Sequence, residues 1–438
     1  MSALRGRTTD LMEVEEKGMS FNGKARRVVV TGMGAVTPIG LTVTDFWKNA
    51  LAGMSGAAPI TYFDTTQYDT KFAAELKGFD PLNYMDRKMV QRVDPFTQYA
   101  FAAADEAVKD SAIDFTKISG DRAGIIFGSG IGGMQTFQRQ HETLVNTKGP
   151  HRISPFFIPM MIADIAAGRI SMKYGLKGPN YATTSACATA SHAIGDAFIL
   201  IQRGDADVML SGGSEAGICP MGIGGFNALR ALSTRNDAPQ KASRPFDKER
   251  DGFVMGEGGG VLILEELGHA IQRGAKIYAE IAGIGFTADA HHITDPAPGG
   301  EGAVRSMKAA IRDAGVSPND VDYVNAHGTS TPANDRNETA AMKTVFGEHA
   351  LKLAVNSTKS MVGHLLGASG AVGSIATVMS IVENKIHPTI NYEHPDPDCD
   401  LFYVPNTSIE KEVNIALCNT FGFGGHNATL LFRKYQEN

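Results

Sequence analysis

Cys187 stands in the stretch YATTSACATASHAIGDAFILIQRG, where small polar residues give way to a run with helical spacing that stops at Gly204. A thiol at such a junction faces unpaired backbone N–H groups at the positive end of a helix dipole, which favour thiolate. The same N–H groups can receive an oxyanion. A lone cysteine is ordinarily a small buried hydrophobe, so the company it keeps decides its meaning. Three further polar points follow apolar, strand-like runs and stand beside glycines: His327 in NAHGTSTP, Lys359 in NSTKSMVGH, and His364 five residues later. A nucleophilic thiol can hold an acyl group and split one hard step into two, and a buried lysine cation lowers the pKa of neighbouring imidazoles.

Those four residues need strands that deliver them. Apolar runs at 26–40, 122–133, 206–214, 253–265, 276–286, 322–326 and 353–357 read as strands, and 414–432 reads as a hairpin around FGFGG. Helical spacing marks 46–51, 95–111, 188–203, 302–314 and 364–384. Active-site side chains of α/β proteins gather at the carboxyl ends of strands. The halves rhyme, because ATTSAC and AVNSTKSMVGH each lead into a helix rich in Ala and Gly. Gly367, Gly370, Ala371 and Gly373 at close helical spacing suit a helix packed between two sheets. Doubled alternation of strands and helices predicts a layered α/β fold. The GSGIGG run, Gly128 to Gly133, is a formal dinucleotide fingerprint, but no second strand ends in an acidic residue about 20 residues on, so a nucleotide site is not expected.

The 438 residues, 43% of them hydrophobic, suffice for one large core or two fused ones. A net charge of −6 with mixed signs argues against binding dominated by nucleic-acid phosphates. Cys187, Cys219, Cys399 and Cys418 show no CxxC spacing and read as reduced cytoplasmic thiols. No apolar run reads as long enough for a membrane helix, so no membrane partner is expected. Residues 1–25 carry no apolar leader and read as a disordered extension. The 49 glycines cluster in short motifs, which points to tight turns and close backbone approaches.

NAHGTSTPAND, NSTKSMVGHLLGASGAV and NTFGFGGHN, in that order, resemble the β-ketoacyl-[acyl-carrier-protein] synthases, most closely the elongating type II enzymes of bacterial fatty acid synthesis. The resemblance runs from about Arg26 to Phe432. It implies a thiolase fold, with duplicated halves (residues 26–275 and 276–438) forming five layers, αβαβα. It also implies a decarboxylative condensation with no metal or other cofactor. Residue by residue, Cys187 matches the nucleophile, His327 and His364 the two active-site histidines, and Lys359 the motif lysine. Glu338 matches the acidic residue that commonly pairs with that lysine, and Phe423 the gating phenylalanine. Thr329 and Thr331 match the residues that bind the pantetheine arm, and Ile131 and Phe226 fall where the acyl pocket is lined. Lys88, Arg92, Arg152 and Arg230 fall at positions that dock an acidic acyl carrier protein, while Gln91 and His151 replace basic residues there. A cytoplasmic homodimer is implied as well.

Two positions depart from the pattern. Gly373 stands where many relatives carry glutamate, which removes a hydrogen-bonding or ion-binding side chain, and His426 replaces a threonine with no change of reaction expected. Other condensing enzymes fit less well. A thiolase would carry a second catalytic cysteine near the C-terminus, and the initiating synthases place asparagine where His364 stands. A non-catalytic chain-length partner would lack Cys187. A ketosynthase of a polyketide or other specialised acyl pathway shares the motifs and is the alternative.

Overall fold

The run VVVTGMGAV forms a strand, β1 (Val28–Val36), buried at all nine positions in the computed structural model of the chain, which describes residues 26–437. Burial on both faces explains a sequence without polar alternation. Nine more strands join it: β2 (Ala123–Gly128), β3 (Asn180–Tyr181), β4 (Val208–Glu215), β5 (Gly258–Glu266), β6 (Ala279–Ala288), β7 (Tyr323–Asn325), β8 (Ala354–Asn356), β9 (Ile415–Gly422) and β10 (His426–Arg433). The sheet order is β8-β7-β9-β10-β6-β1-β5-β4-β2-β3. Read outward from the centre, one side runs 1-5-4-2-3 and the other 6-10-9-7-8, the same order shifted by five. The sides meet where Val28–Val30 of β1 pair antiparallel with Ala279–Ile281 of β6. The rhyme in the sequence is thus a duplication of topology. The extension expected at residues 1–25 lies outside the described residues.

Four helices set the layers: α1 (Pro95–Ser111), α2 (Thr189–Arg203), α3 (Glu301–Asp313) and α4 (Ser369–Glu383). α1 lies on β1 at two glycines, because a Cβ on Gly32 or Gly34 would stand 2.5 or 2.0 Å from the carbonyl oxygens of Ala107 and Ala103. α3 repeats the device on β6, where a Cβ on Gly283 or Gly285 would stand 2.3 or 2.0 Å from the carbonyls of Ala310 and Ser306. One apolar core lies under α1, a second under α3, and a third, between them, contains α2 and α4. α4 packs on strands of both halves, β5 and β9 among them. With the two five-stranded halves of the sheet counted as separate layers, the order is helix, sheet, helix, sheet, helix.

α4 and the turn before it differ from expectation in one respect. The 18 residues Leu366–Glu383 are long and apolar enough to cross a membrane, at a mean hydropathy of 1.4. Here 83% of that stretch is buried in the protein. Small residues account for this: a Cβ on Gly370 would stand 2.7 Å from the backbone nitrogen of Ser191 in α2, so the two central helices approach closely.

Candidate active site

The parallel strands β2, β3 and β4 end on one side of the sheet, as do β7, β8 and β9. After β3 the chain crosses Ser185 and enters a short 3₁₀ turn, Ala186–Ala188, before α2 begins at Thr189. Ala186 adopts φ of +49°, a left-handed conformation that costs a residue with a Cβ about 1 kcal/mol and turns Cys187 toward the cavity. Cys187 therefore precedes the helix rather than capping it. The backbone N–H groups of Phe423 and of Cys187 itself favour its thiolate form.

His364 Nε2 lies 3.0 Å from Cys187 Sγ. On the other side of the ring, Nδ1 accepts the Leu366 N–H at 3.2 Å and the Ser369 hydroxyl at 2.9 Å. A backbone N–H can only donate, so Nδ1 is the bare nitrogen and the proton sits on Nε2, aimed at the sulfur. His327 follows β7, and its ring stands 5.4 Å from that of His364, edge to face. Ring nitrogens of both histidines and Cys187 Sγ all lie within 4.8 Å of one another, and all three residues are buried.

Burial decides the charge states. It lowers the pKa of both histidines well below the usual range, and the Lys359 cation lowers them further, so both imidazoles stay neutral. Burial also lowers Lys359 itself, opposed by the attraction of Cys418, Glu338 and Cys187. The thiol moves opposite to the expectation from a helix N-terminus. Burial pushes it up to about 11, and the Lys359 cation and the Phe423 N–H only partly offset this. The helix starts two residues too late for its dipole to win. The carboxylate of Glu338 accepts the N–H groups of His327 and Gly328 at 2.8 Å each, with Asn419 Nδ2 at 3.3 Å. It therefore positions the His327 turn and meets Lys359 through space, not in a salt bridge among the described residues.

A cavity of about 500 Å³ opens on Cys187. Ile131, Phe226, Arg230, His327, Thr329, Thr331, His364 and Phe423 all line it, so the expected acyl and pantetheine positions share one space. The hydroxyls of Thr329 and Thr331 are 2.8 Å apart. Phe226 packs edge-on to Phe253, which packs edge-on to His364. Lys88, Arg152 and Arg230 are exposed, as are Gln91 and His151, and Arg92 lies 4.4 Å over the ring of Phe156. His426 is not among the lining residues and faces His192, ring to ring at 6.2 Å. At Gly373 a Cβ would stand 3.0 Å from both Asn325 Oδ1 and Cys418 Sγ, so those two side chains fill the place where a longer residue would start.

Ser369, Phe253, Phe421 and Leu366 belong to the site and were not singled out from sequence. Ser369 alone had a usable signal, one helical turn and a half after His364 in GHLLGAS. The Cys187, His327 and His364 trio is also a donor set of a kind that takes zinc. The nearby Lys359 cation and a thiol held protonated both disfavour a dication, so the arrangement suits acyl chemistry better.

The model of the family "Beta-ketoacyl synthase, N-terminal domain" matches residues 25–270, and "Beta-ketoacyl synthase, C-terminal domain" matches residues 278–393. The 3-oxoacyl-[acyl-carrier-protein] synthase 2 of Synechocystis sp. is 53% identical over 415 residues, 95% of this chain and 100% of that protein. The same-named protein of Staphylococcus aureus is 54% identical over 411 residues, 94% of this chain and 99% of that one. Among solved structures, a beta-ketoacyl synthase from Burkholderia phymatum superposes with a TM-score of 0.87 at 36% identity, covering 94% of this chain and all of that one. A ketosynthase solved in complex with its type II PKS acyl-carrier protein gives 0.86 at 37% identity with the same coverage. On that identity, and with both halves matched in order, this chain belongs to the beta-ketoacyl synthase family.

Proposed function

We propose that the protein lengthens an acyl chain held on Cys187 by decarboxylative condensation with malonyl-[acyl-carrier protein], giving β-ketoacyl-[acyl-carrier protein] in fatty acid elongation. The observation that carries this is His364, a neutral imidazole with its Nε2–H held 3.0 Å from a buried nucleophile. Cys187 Sγ attacks the acyl thioester, and its proton leaves with the carrier thiol. The acyl oxygen turns toward the N–H groups of Cys187 and Phe423, an oxyanion hole. Malonyl thioester then loses carbon dioxide, and charge moves onto its thioester oxygen as an enolate. Donors that never ionise to imidazolium suit that oxygen, and His327 with His364 supply them. The enolate carbon attacks the Cys187 thioester, and collapse expels the thiolate.

Higher identity to the synthase 2 relatives than to the polyketide enzymes favours fatty acid elongation over the alternative, a ketosynthase of a polyketide pathway. Exposed Lys88, Arg152 and Arg230, with Arg92 held on Phe156, form a basic rim for an acidic carrier protein. The short edge strand β3, exposed at both residues, and exposed Phe137, Ile158 and Met172 support a homodimer closed over that edge. Four cysteines with no disulfide among them support reading its location as cytoplasmic.

Cys187→Ala tests the assignment. Incubated with acyl-carrier substrate, the variant should show no acyl-enzyme by mass spectrometry, yet still release carbon dioxide from malonyl-carrier protein. An acyl-enzyme in the variant would move the nucleophile elsewhere and overturn the reading.

A further inference from the structure

Glu215 closes β4 with its carboxylate fully buried and, among the described residues, no cation set against it. Four donors meet it instead. Oε1 accepts the Ser129 hydroxyl at 2.8 Å and the Ile131 N–H at 3.3 Å, and Oε2 accepts the N–H groups of Gly130 at 2.8 Å and Gly367 at 3.0 Å. Three of these donors follow β2 and the fourth follows His364, so one side chain ties together two segments far apart in sequence. Ile131 sits on the first segment and Leu366 on the second, and both side chains line the Cys187 cavity.

The segments touch only because glycine lets them. A Cβ on Gly130 would stand 2.8 Å from Glu215 Oε2 and 3.3 Å from Gly367 N. A Cβ on Gly367 would stand 2.3 Å from Gly130 N. Gly128 packs against Thr183 and Thr189, and Gly133 against Met160 and Met161. The glycine pattern that mimics a dinucleotide fingerprint therefore serves backbone packing around a carboxylate. Leu366 is held at φ of +47°, an unfavourable conformation for leucine, between its own N–H bond to His364 and the Gly367 bond to Glu215.

We propose that Glu215 is a positioning residue for acyl-chain selection: its carboxylate clamps the Ile131 wall of the cavity to the Leu366 wall and so fixes the width open to the chain. The inference rests on the reading of this cavity as the acyl site. Burial pushes the Glu215 carboxyl up to about 7, and its four donors oppose this by favouring the ionised form, which accepts on both oxygens and donates from neither. Glu215→Gln keeps the volume but turns one accepting oxygen into an NH₂ that confronts the Ile131 N–H on one side or the Gly130 and Gly367 N–H groups on the other. One side of the clamp opens, and the wall it held gains room.

The test follows acylation of Cys187 by mass spectrometry with carrier proteins loaded with a short or a long saturated chain, and reads the ratio of the two kcat/KM values. Glu215→Gln should shift that ratio toward the long chain by about tenfold, the scale of losing hydrogen bonds to a charged acceptor. Ser129→Ala, which removes one donor and keeps the carboxylate, should shift it the same way by a smaller factor, and decides the matter if the glutamine variant fails to fold. General loosening of the protein would lower both rates together and leave the ratio alone. An unchanged ratio in the folded variants overturns the clamp and leaves the functional reading standing, whereas a wild-type Cys187 that accepts no acyl group from either donor overturns both.

Discussion

His364→Ala should damage the two half-reactions unequally, and the structure sets the size of each loss. In decarboxylation the Nε2–H is one of two donors to the developing enolate oxygen. Removing one such donor costs about 10²–10³-fold, or about 2.7–4 kcal/mol. In acylation the loss is smaller. The sulfur gives up one hydrogen bond, at 3.0 Å, but keeps the Phe423 N–H and the Lys359 cation. A hydrogen bond to a charged group contributes about 1.5–3 kcal/mol, which is roughly 10–100-fold. The ratio of decarboxylation to acylation should therefore fall by about tenfold, the difference between these two losses. Leu366 N–H and Ser369 Oγ also lose their acceptor, so some stability goes with the ring. Ser369→Ala supplies the control, since it removes one of those two bonds and leaves the imidazole in place. Carbon dioxide release from malonyl-carrier protein reads the first rate, and mass spectrometry of Cys187 reads the second. If acylation falls further than decarboxylation, His364 serves the thiol and not the enolate, and the assignment of the second half-reaction fails.

Four other outcomes follow. With the Cys187 thiol pushed up to about 11, only ~10⁻⁴ of it is thiolate at neutral pH, so alkylation of the free enzyme should quicken about tenfold per pH unit toward that value. Lys359→Ala should slow alkylation near neutral pH, where the lysine is a cation that lowers the thiol pKa, and a flat profile in the wild type would contradict the burial argument. Reversing charge at Arg92 and Arg230 together should raise KM for carrier-bound substrates more than for coenzyme A thioesters, and added salt should shrink the difference. Equal effects on both substrates would remove these residues from the docking surface. Sedimentation at micromolar concentration should give a dimer, and a fully active monomer would refute closure over β3.

The sequence announces the fold where apolar runs and glycines coincide. α1 and the β9–β10 hairpin stand within one residue of where the pattern places them, and β1 lies inside its apolar run at 26–40. It announces the site equally well, because Cys187, His327, Lys359 and His364 each follow a strand. The helix Pro220–Ala228, which carries Phe226, leaves no pattern, since three glycines in PMGIGGFNA break the helical spacing and only Pro220 at its first position marks the start. The state of the thiol is hidden for a different reason. The end of a helix can be read from sequence, but the offset of Cys187 from that end and its burial arise only when both halves close over it. Glu215 is hidden in the same way, as a strand-end glutamate whose four donors come from residues 84 to 152 positions away.

Duplication explains how such distant residues meet. Equivalent strands carry different chemistry at their carboxyl ends. After β2 comes the Ser129–Ile131 wall, and after its counterpart β7 comes His327. After β3 comes Cys187, and after β8 come Lys359 and His364. β4 ends at Glu215, and β9 runs into Phe423. One half thus supplies the thiol and the wall beside it, and the other supplies the neutral donors, the cation and an oxyanion N–H. A condensation needs two unlike partners side by side, one held as an electrophilic thioester and one as an enolate. Two copies of a single strand arrangement, joined at β1 and β6 with α2 against α4, bring both within 4.8 Å while each half keeps its own fold. Because the two sets lie on different copies, either could change its chemistry without rebuilding the other.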